Sequence, residues 1–169
     1  MLGHGSVSPL RPDLVDAWLF RVIDGRPEVL LLRRSPGRVF EGLWQGVSGA
    51  LEPGEAVVLG ALREVDEETG FGPDVIEAFY HLDQVNQFHV AEIDAIVMSA
   101  VFALRIRPDA ALRLSYEHDE ARWLTLDEAF SLVVWPAYRE SIERIRDCLL
   151  DSERAPWFEL TLDGRRRRR

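Results

Sequence analysis

Residues 49–71 read GALEPGEAVVLGALREVDEETGF, and the fold of this chain is decided there. Leu51-Glu52-Pro53-Gly54 is a turn-prone opening, and from Glu55 to Thr69 the pattern becomes helical. Val58, Leu62 and Val65 fall at i, i+4 and i+7 with Ala61 beside them, which marks one apolar face, and Gly70 supplies a stop. Gly60 costs roughly 1 kcal/mol of helix propensity relative to alanine, so packing is expected to hold this helix. Glu64, Glu67 and Glu68 stand at i, i+3 and i+4 and project from one side. Carboxylates that close repel, so positive charge must meet them. Arg63 can pair with Glu67 at i+4, but one guanidinium does not neutralise three carboxylates, whereas divalent cations do. Clustered hard oxygens favour Mg²⁺, with Mn²⁺ the alternative, over zinc. On spacing alone, a solvated acidic helix face is the simpler account.

The flanking residues change that balance. Gly49, Glu55, Arg63, Glu64, Val65, Glu67, Glu68, Gly70 and Phe71 fit the pattern Gly-x5-Glu-x7-Arg-Glu-U-x-Glu-Glu-x-Gly-U, where U is a bulky apolar residue. This resembles the Nudix box, with Phe71 a mild departure from the aliphatic preference. Agreement over so many fixed positions makes chance negligible. The resemblance implies that Glu64 is a metal ligand or base, that Glu67 and Glu68 bind metal together with the Gly49 carbonyl, and that Arg63 orients the carboxylates. Glu55 is then a structural residue at the loop–helix junction. The implied fold is α/β, a Nudix α/β/α sandwich with a mixed β-sheet and the loop–helix motif.

Outward from the box the chain reads as alternating strands and helices. Strands are expected at Leu14–Ile23 and Glu28–Arg33, joined by the turn Asp24-Gly25-Arg26-Pro27, then at Val75–Leu82, at Asp94–Ile106, and in a short strand ending at Trp123-Leu124. Thr125 and Glu128 have capping-box spacing for a helix to about Val133, and Pro136 suits the first turn of a final helix carrying Ile142, Ile145 and Leu149. The expected organisation is a flexible segment 1–12, one Nudix domain over 13–155, and a tail 156–169 whose arginine run is solvated and disordered.

A second resemblance, to the bacterial branch acting on dihydroneopterin triphosphate and dNTPs, rests on Trp44-Gln45-Gly46-Val47-Ser48-Gly49, Glu117-His118, Trp123-Leu124, Trp135 and Arg139. Tyr138 replaces that branch's usual Asn. Trp44, Gln45 and Trp135 become candidate substrate contacts, the two tryptophans as stacking surfaces. Trp18 and Trp123 are expected in the core. Glu117 is the candidate loop carboxylate for the metal, with Glu120 the fallback; His118 either donates to phosphate or packs structurally. Among Arg33, Arg34 and Arg38, Arg33 is the first choice for a bidentate phosphate contact. Asn86, Gln87, Phe88 and His89 stand where the ADP-ribose branch has Pro and the dinucleoside polyphosphate branch Tyr, so neither marker is present.

Composition bounds the partners. The chain has 169 residues, no lysine and a net charge of −9; without the five arginines of Arg165–Arg169 that becomes −9 − 5 = −14. Such a body is a poor partner for nucleic acid. No apolar run reaches the roughly 18 residues a membrane helix needs, and the lone Cys148 excludes an internal disulfide and suits a buried thiol in a cytoplasmic protein. The expected activity is Mg²⁺-dependent pyrophosphohydrolysis of a nucleoside triphosphate or pterin triphosphate, in a monomer or homodimer. ADP-ribose-like nucleoside diphosphates are the second expectation, and a non-catalytic ligand-binding domain the third.

Overall fold

In the computed structural model, residues 10–167 are described; the expectation for 1–9 lies outside them. The strands are β1 (Leu14–Ile23), β2 (Arg26–Arg34), β3 (Trp44–Gln45), β4 (Val47–Ala50), β5 (Ile76–Val90), β6 (Ala95–Ile106), β7 (His118–Thr125) and β8 (Glu159–Leu160). The helices are α1 (Val57–Thr69), α2 (Leu126–Leu132) and α3 (Pro136–Arg144), the last running into a π-helical turn at Ile145–Leu149. One mixed sheet has the order β3-β2-β1-β6-β5-β8, with β4 also on β1 and β7 also on β2. β1 pairs parallel with β6 and antiparallel with β2 and β4, so it is the central strand.

Alternation along β1 divides the core. Val15, Ala17 and Leu19 face α1 with Ala61 and Val65, while Trp18 and Phe20 face α2 and α3 with Ala129, Ile142 and Ile145. The α/β/α sandwich follows, because a sheet apolar on both faces needs a helical layer on each. None of the helices among the described residues is long and apolar enough to cross a membrane.

The strand at Leu14–Ile23 and the capping box at Thr125 and Glu128 occur as expected: Thr125 Oγ1 accepts from the Glu128 N–H, and Glu128 Oε2 accepts from the Thr125 N–H. Trp18 is fully buried, but Trp123 and Cys148 only partly so, packed at the margins of the core. The first turn is shorter than expected, because β2 already begins at Arg26, and three further differences bear on the core and the site. α1 begins at Val57, since Ala56 is extended with ψ 134° and the Glu55 side chain belongs to the loop. β5 runs to Val90, past the expected Leu82, because its polar residues point into a buried network. Asn86 donates to Asp16 (2.8 Å), Gln84 to Asn86 (2.9 Å), and Ser141 of α3 to Gln84 (3.0 Å). That chain satisfies polar groups which would otherwise cost stability in the interior.

The third difference is the tail. Glu159 and Leu160 pair with Tyr80 and Phe79 as an edge strand, Arg167 bonds Glu159, and Leu160 packs into the α1-side core. Through Arg167 the tail is part of the sheet and not a solvated end. Removing most of a buried leucine costs about 2 kcal/mol. Leu160→Ala is therefore expected to lower the unfolding free energy by about 2 kcal/mol in chemical denaturation; no change would mean that the tail is not docked in solution.

Candidate active site

The sequence places glycine where the chain makes two of its tightest approaches. A Cβ on Gly49 would lie 1.9 Å from the Glu64 carboxyl carbon, and one on Gly60 would lie 2.3 Å from a Leu51 methyl. Gly60 thus trades helix propensity for close packing of the 51–55 loop on α1. Gly49 sits in β4 opposite Val15 of the central strand, so the Glu64 carboxylate is pressed against backbone that the sheet fixes.

Arg63 ties this loop to the helix. It donates to Glu55 Oε1 (2.9 Å) and Oε2 (3.0 Å), to Glu64 Oε1 (2.8 Å), to Glu67 Oε2 (3.2 Å) and to the Ala50 carbonyl (2.9 Å). Glu55 Oε2 also accepts from the Glu52 N–H at 2.9 Å. Hydrogen bonding from Arg63, then from the Glu52 backbone, holds the Glu55 carboxyl down at about 2. Glu55 is a clamp, in line with the sequence expectation.

The three helix carboxylates differ in setting. Glu67 is largely exposed, Glu64 is mostly covered and Glu68 is buried. Burial, then the negative charges of Glu64 and Glu117, pushes Glu68 up to about 9. Its Oε2 has no hydrogen-bond partner and lies 3.8 Å from His118 Nδ1, and both His118 ring nitrogens also lack partners. Burial and the nearby Arg34 push His118 down to about 4. The two groups favour their uncharged forms, so this approach is not an ion pair.

Backbone bonds bring the loop carboxylate alongside. Ser115 N–H donates to the Glu68 carbonyl at 3.0 Å and Arg113 N–H to the Thr69 carbonyl at 2.9 Å, satisfying the last turn of α1. Glu117 and His118 follow directly. The Glu117 charge raises both Glu64 and Glu68, whereas Glu120 is paired with Arg33 and Arg122. Glu117 is the loop acid on the carboxylate side.

The remaining candidates separate. Arg33 is held by Asp119 (2.7 and 3.1 Å) and Glu120 (2.9 Å), and Trp44 is overlaid by Arg122 (4.9 Å) and Arg33 (5.8 Å). These contacts are structural ones, and they occupy both side chains. Gln45 is buried with its Nε2 unpartnered. Arg34, which sequence reasoning ranked below Arg33, is the arginine whose charge reaches Glu68, His118 and Tyr138. Trp135 caps α3 and is 40% exposed. Among the described residues no three His, Cys, Asp or Glu side chains converge into a ready metal cage: Arg63 stands between Glu64 and Glu67, and Glu68 turns inward.

Two outcomes follow from this geometry. Gly49→Ala must displace the Glu64 carboxylate, so turnover of any substrate the site hydrolyses should fall roughly 10²-fold or more while the melting temperature moves by a few degrees; unchanged turnover would remove Glu64 from the chemistry. Because the folded Glu55 carboxyl titrates below its ordinary 4.5, the stability it adds is present above about pH 4.5 and lost as pH falls toward about 2. Denaturation of wild type and Glu55→Gln should therefore show a gap that is constant above pH 5 and narrows below pH 4.5; a gap that does not narrow would contradict the clamp.

The NUDIX domain family model matches residues 13–145. Among curated proteins, the chain is 34% identical over 119 residues to the asymmetrical bis(5'-nucleosyl)-tetraphosphatase of Rattus norvegicus, covering 69% of this chain and 76% of that protein. It is also 37% identical over 128 residues, 73% of this chain, to an octanoyltransferase of Myxococcus xanthus, but it spans only 34% of that protein's length. The structure matches a MutT protein from Methanosarcina mazei Go1 with TM-score 0.63 and 32% identity, over 83% of this chain and 96% of that one. A C. elegans Ap4A hydrolase complex matches with TM-score 0.69 over 80% of this chain and 96% of that one, at 19% identity, which is a likeness of fold. With the box complete and its loop–helix clamp in place, the chain belongs to the Nudix hydrolase family, which acts on pyrophosphate bonds.

Proposed function

We propose that this protein is a Mg²⁺-dependent pyrophosphohydrolase that cleaves a nucleoside triphosphate or a pterin triphosphate to the monophosphate and pyrophosphate. The observation that carries the reading is the group of Glu64, Glu67, Glu68 and Glu117 beside a glycine backbone, with Arg63 the arginine bonded to two of them and Arg38 3.9 Å from Glu117. Its donors are hard oxygens, Glu68 Oε2 is buried without a partner, and a Cβ at position 49 would fill the space Glu64 needs. That set fits a divalent ion held by Glu64, Glu67, Glu68, Glu117 and the Gly49 carbonyl, with Mn²⁺ able to substitute for Mg²⁺. Bound divalent ions supply charge neutralisation of the polyphosphate and a lowered water pKa.

The chain's own residues do the rest. Glu64, held between Gly49 and Arg63, takes the proton of the attacking water. Arg63 keeps Glu64 and Glu67 in register, and Glu55 keeps Arg63 in place. Arg34, whose charge lowers the Glu68 carboxyl, would contact a phosphate through its remaining donors, whereas Arg33 is paired with Asp119 and Glu120. Gln45 and Trp135 line the approach for the base or pterin.

A dinucleoside polyphosphate is the second reading, favoured by the tetraphosphatase relatives at 34% and 33% identity and disfavoured by the missing tyrosine after the box. ADP-ribose follows as a third, since one solved neighbour is a NUDIX domain complexed with ADP ribose. Release of phosphate and pyrophosphate from dNTPs, NTPs, dihydroneopterin triphosphate, dinucleoside tetraphosphates and ADP-ribose, with Mg²⁺ and with EDTA, separates these. The expected result is Mg²⁺-dependent pyrophosphate release from a triphosphate, lowered roughly 10²- to 10³-fold by Glu67→Gln or Glu68→Gln in a folded protein. Turnover of dinucleoside tetraphosphates or ADP-ribose alone would replace the substrate assignment, and no turnover across the panel would leave a ligand-binding role.

A further inference from the structure

Outside the carboxylate cluster and both cores, two aromatic rings meet on the surface. Phe40 is 61% exposed and Trp135 is 40% exposed, and their centroids lie 5.8 Å apart at 76°. The Phe40 backbone has φ 59°, in the left-handed region that bulky residues avoid. A buried ring repays such a conformation through packing, but this one is mostly in water. Strain held at an exposed aromatic residue points to use by a ligand.

The loop that carries Phe40 is anchored beside the loop acid: the Ser35 N–H donates to the Glu117 carbonyl at 2.9 Å, and Arg38 Nη1 lies 3.9 Å from Glu117 Oε1. The Phe40 loop, Ser35–Leu43, is held by Arg34, whose Nε donates to the Val39 carbonyl at 2.9 Å and whose backbone bonds Leu43 and Gly42. On the other side, the Tyr138 N–H donates to the Trp135 carbonyl at 3.0 Å, and the Tyr138 ring packs edge-on against the buried Trp18 with centroids 5.3 Å apart. Trp135 is fixed in place, because Gln84 pins the first turn of α3 through the Ala137 carbonyl (3.0 Å) and Ser141 (3.0 Å). The loop jaw is built of turns, with Gly37 and Gly42 at positive φ on either side of Phe40.

We propose that Phe40 and Trp135 form the stacking site for the substrate's planar heterocycle, with one ring as the stacking face and the other, nearly perpendicular to it, as the wall at the heterocycle's edge. This deepens the polyphosphate hydrolase reading and rests on it. Stacking uses the π-face that every base presents, so the site separates nucleotides from bare polyphosphate while tolerating different bases.

The test is calorimetric binding, with Mg²⁺, of a methylene-bridged ATP analogue and of inorganic tripolyphosphate to wild type, Phe40→Gly and Trp135→Ala, beside KM and kcat for nucleotide turnover. Each substitution is expected to weaken the analogue and raise KM roughly tenfold, with kcat within about threefold and tripolyphosphate affinity within about twofold. Phe40→Gly relieves the backbone, so its melting temperature should hold or rise. Equal weakening of both ligands, or no weakening of the analogue in a wild type that hydrolyses nucleotides, overturns the stacking site alone. A wild type that neither binds the analogue nor turns over any nucleotide overturns the hydrolase reading and this inference with it.

Discussion

The five hydrogen bonds of the Arg63 guanidinium constrain everything around the site. Three carboxylates and the carbonyl at the end of β4 converge on one planar cation, and the two oxygens of Glu55 meet it in a fork. Lysine, a point charge with a flexible stem, lacks the directed donors to hold a loop acid, two helix acids and a carbonyl in one plane. The loop's shape, the helix's start and the direction of Glu64 therefore depend on a single side chain. The glycines at 49 and 60 are the steric counterpart: without side chains, they let Glu64 and the 51–55 loop sit close enough for Arg63 to reach both.

The same convergence explains why the acids are tuned so differently. Glu55 gains a cation and is held low, whereas Glu68, four residues beyond Glu64, loses water and meets the like charges of Glu64 and Glu117, which the Ser48 backbone and Arg34 only partly offset. A buried carboxyl oxygen without a donor is costly to keep, and Glu68 Oε2 is one, with the unpartnered His118 Nδ1 3.8 Å away. Stability alone does not account for Glu68 in that position.

How much of this was legible in sequence follows from which forces are local. The box, the helix face, the Gly70 stop and the Thr125 capping box are set by residues within a turn or two of one another, and they occur where spacing puts them. What spacing could not supply was set by partners far along the chain. β5 continues past Leu82 because Gln84 and Asn86 meet Asp16 and Ser141, seventy and fifty-seven residues away; read locally, those polar residues end a strand. β8 is two residues whose apolar member needs Phe79 to be visible as core. At the site, Arg33 and Arg34 are indistinguishable as a dipeptide, but strand alternation sends them to opposite faces. Arg33 meets the acids of β7, and Arg34 reaches the carboxylate cluster. Phe40 carried one signal that could have been read: an apolar Val39-Phe40 pair inside a segment of Pro, Gly and charge.

Pairing of the arginines limits how an acidic protein can hold a polyanion. With no lysine, its basic groups are arginines and histidines, and most arginines beyond the site are matched to acids: Arg21 to Glu28, Arg33 to Asp119 and Glu120, Arg105 to Glu77, Arg144 to Glu140. A phosphate approaching this surface finds few cations not already shared, and the Glu64, Glu67, Glu68 and Glu117 carboxylates repel it. On the metal-dependent reading proposed above, attraction comes from ions that the carboxylates recruit, and such ions bind any polyphosphate alike. Discrimination between one polyphosphate and another falls to neutral contacts at the rim, where area and shape matter more than charge. Aromatic rings carried on the loop anchored to Glu117 and at the start of α3 are what this surface has to offer for that purpose.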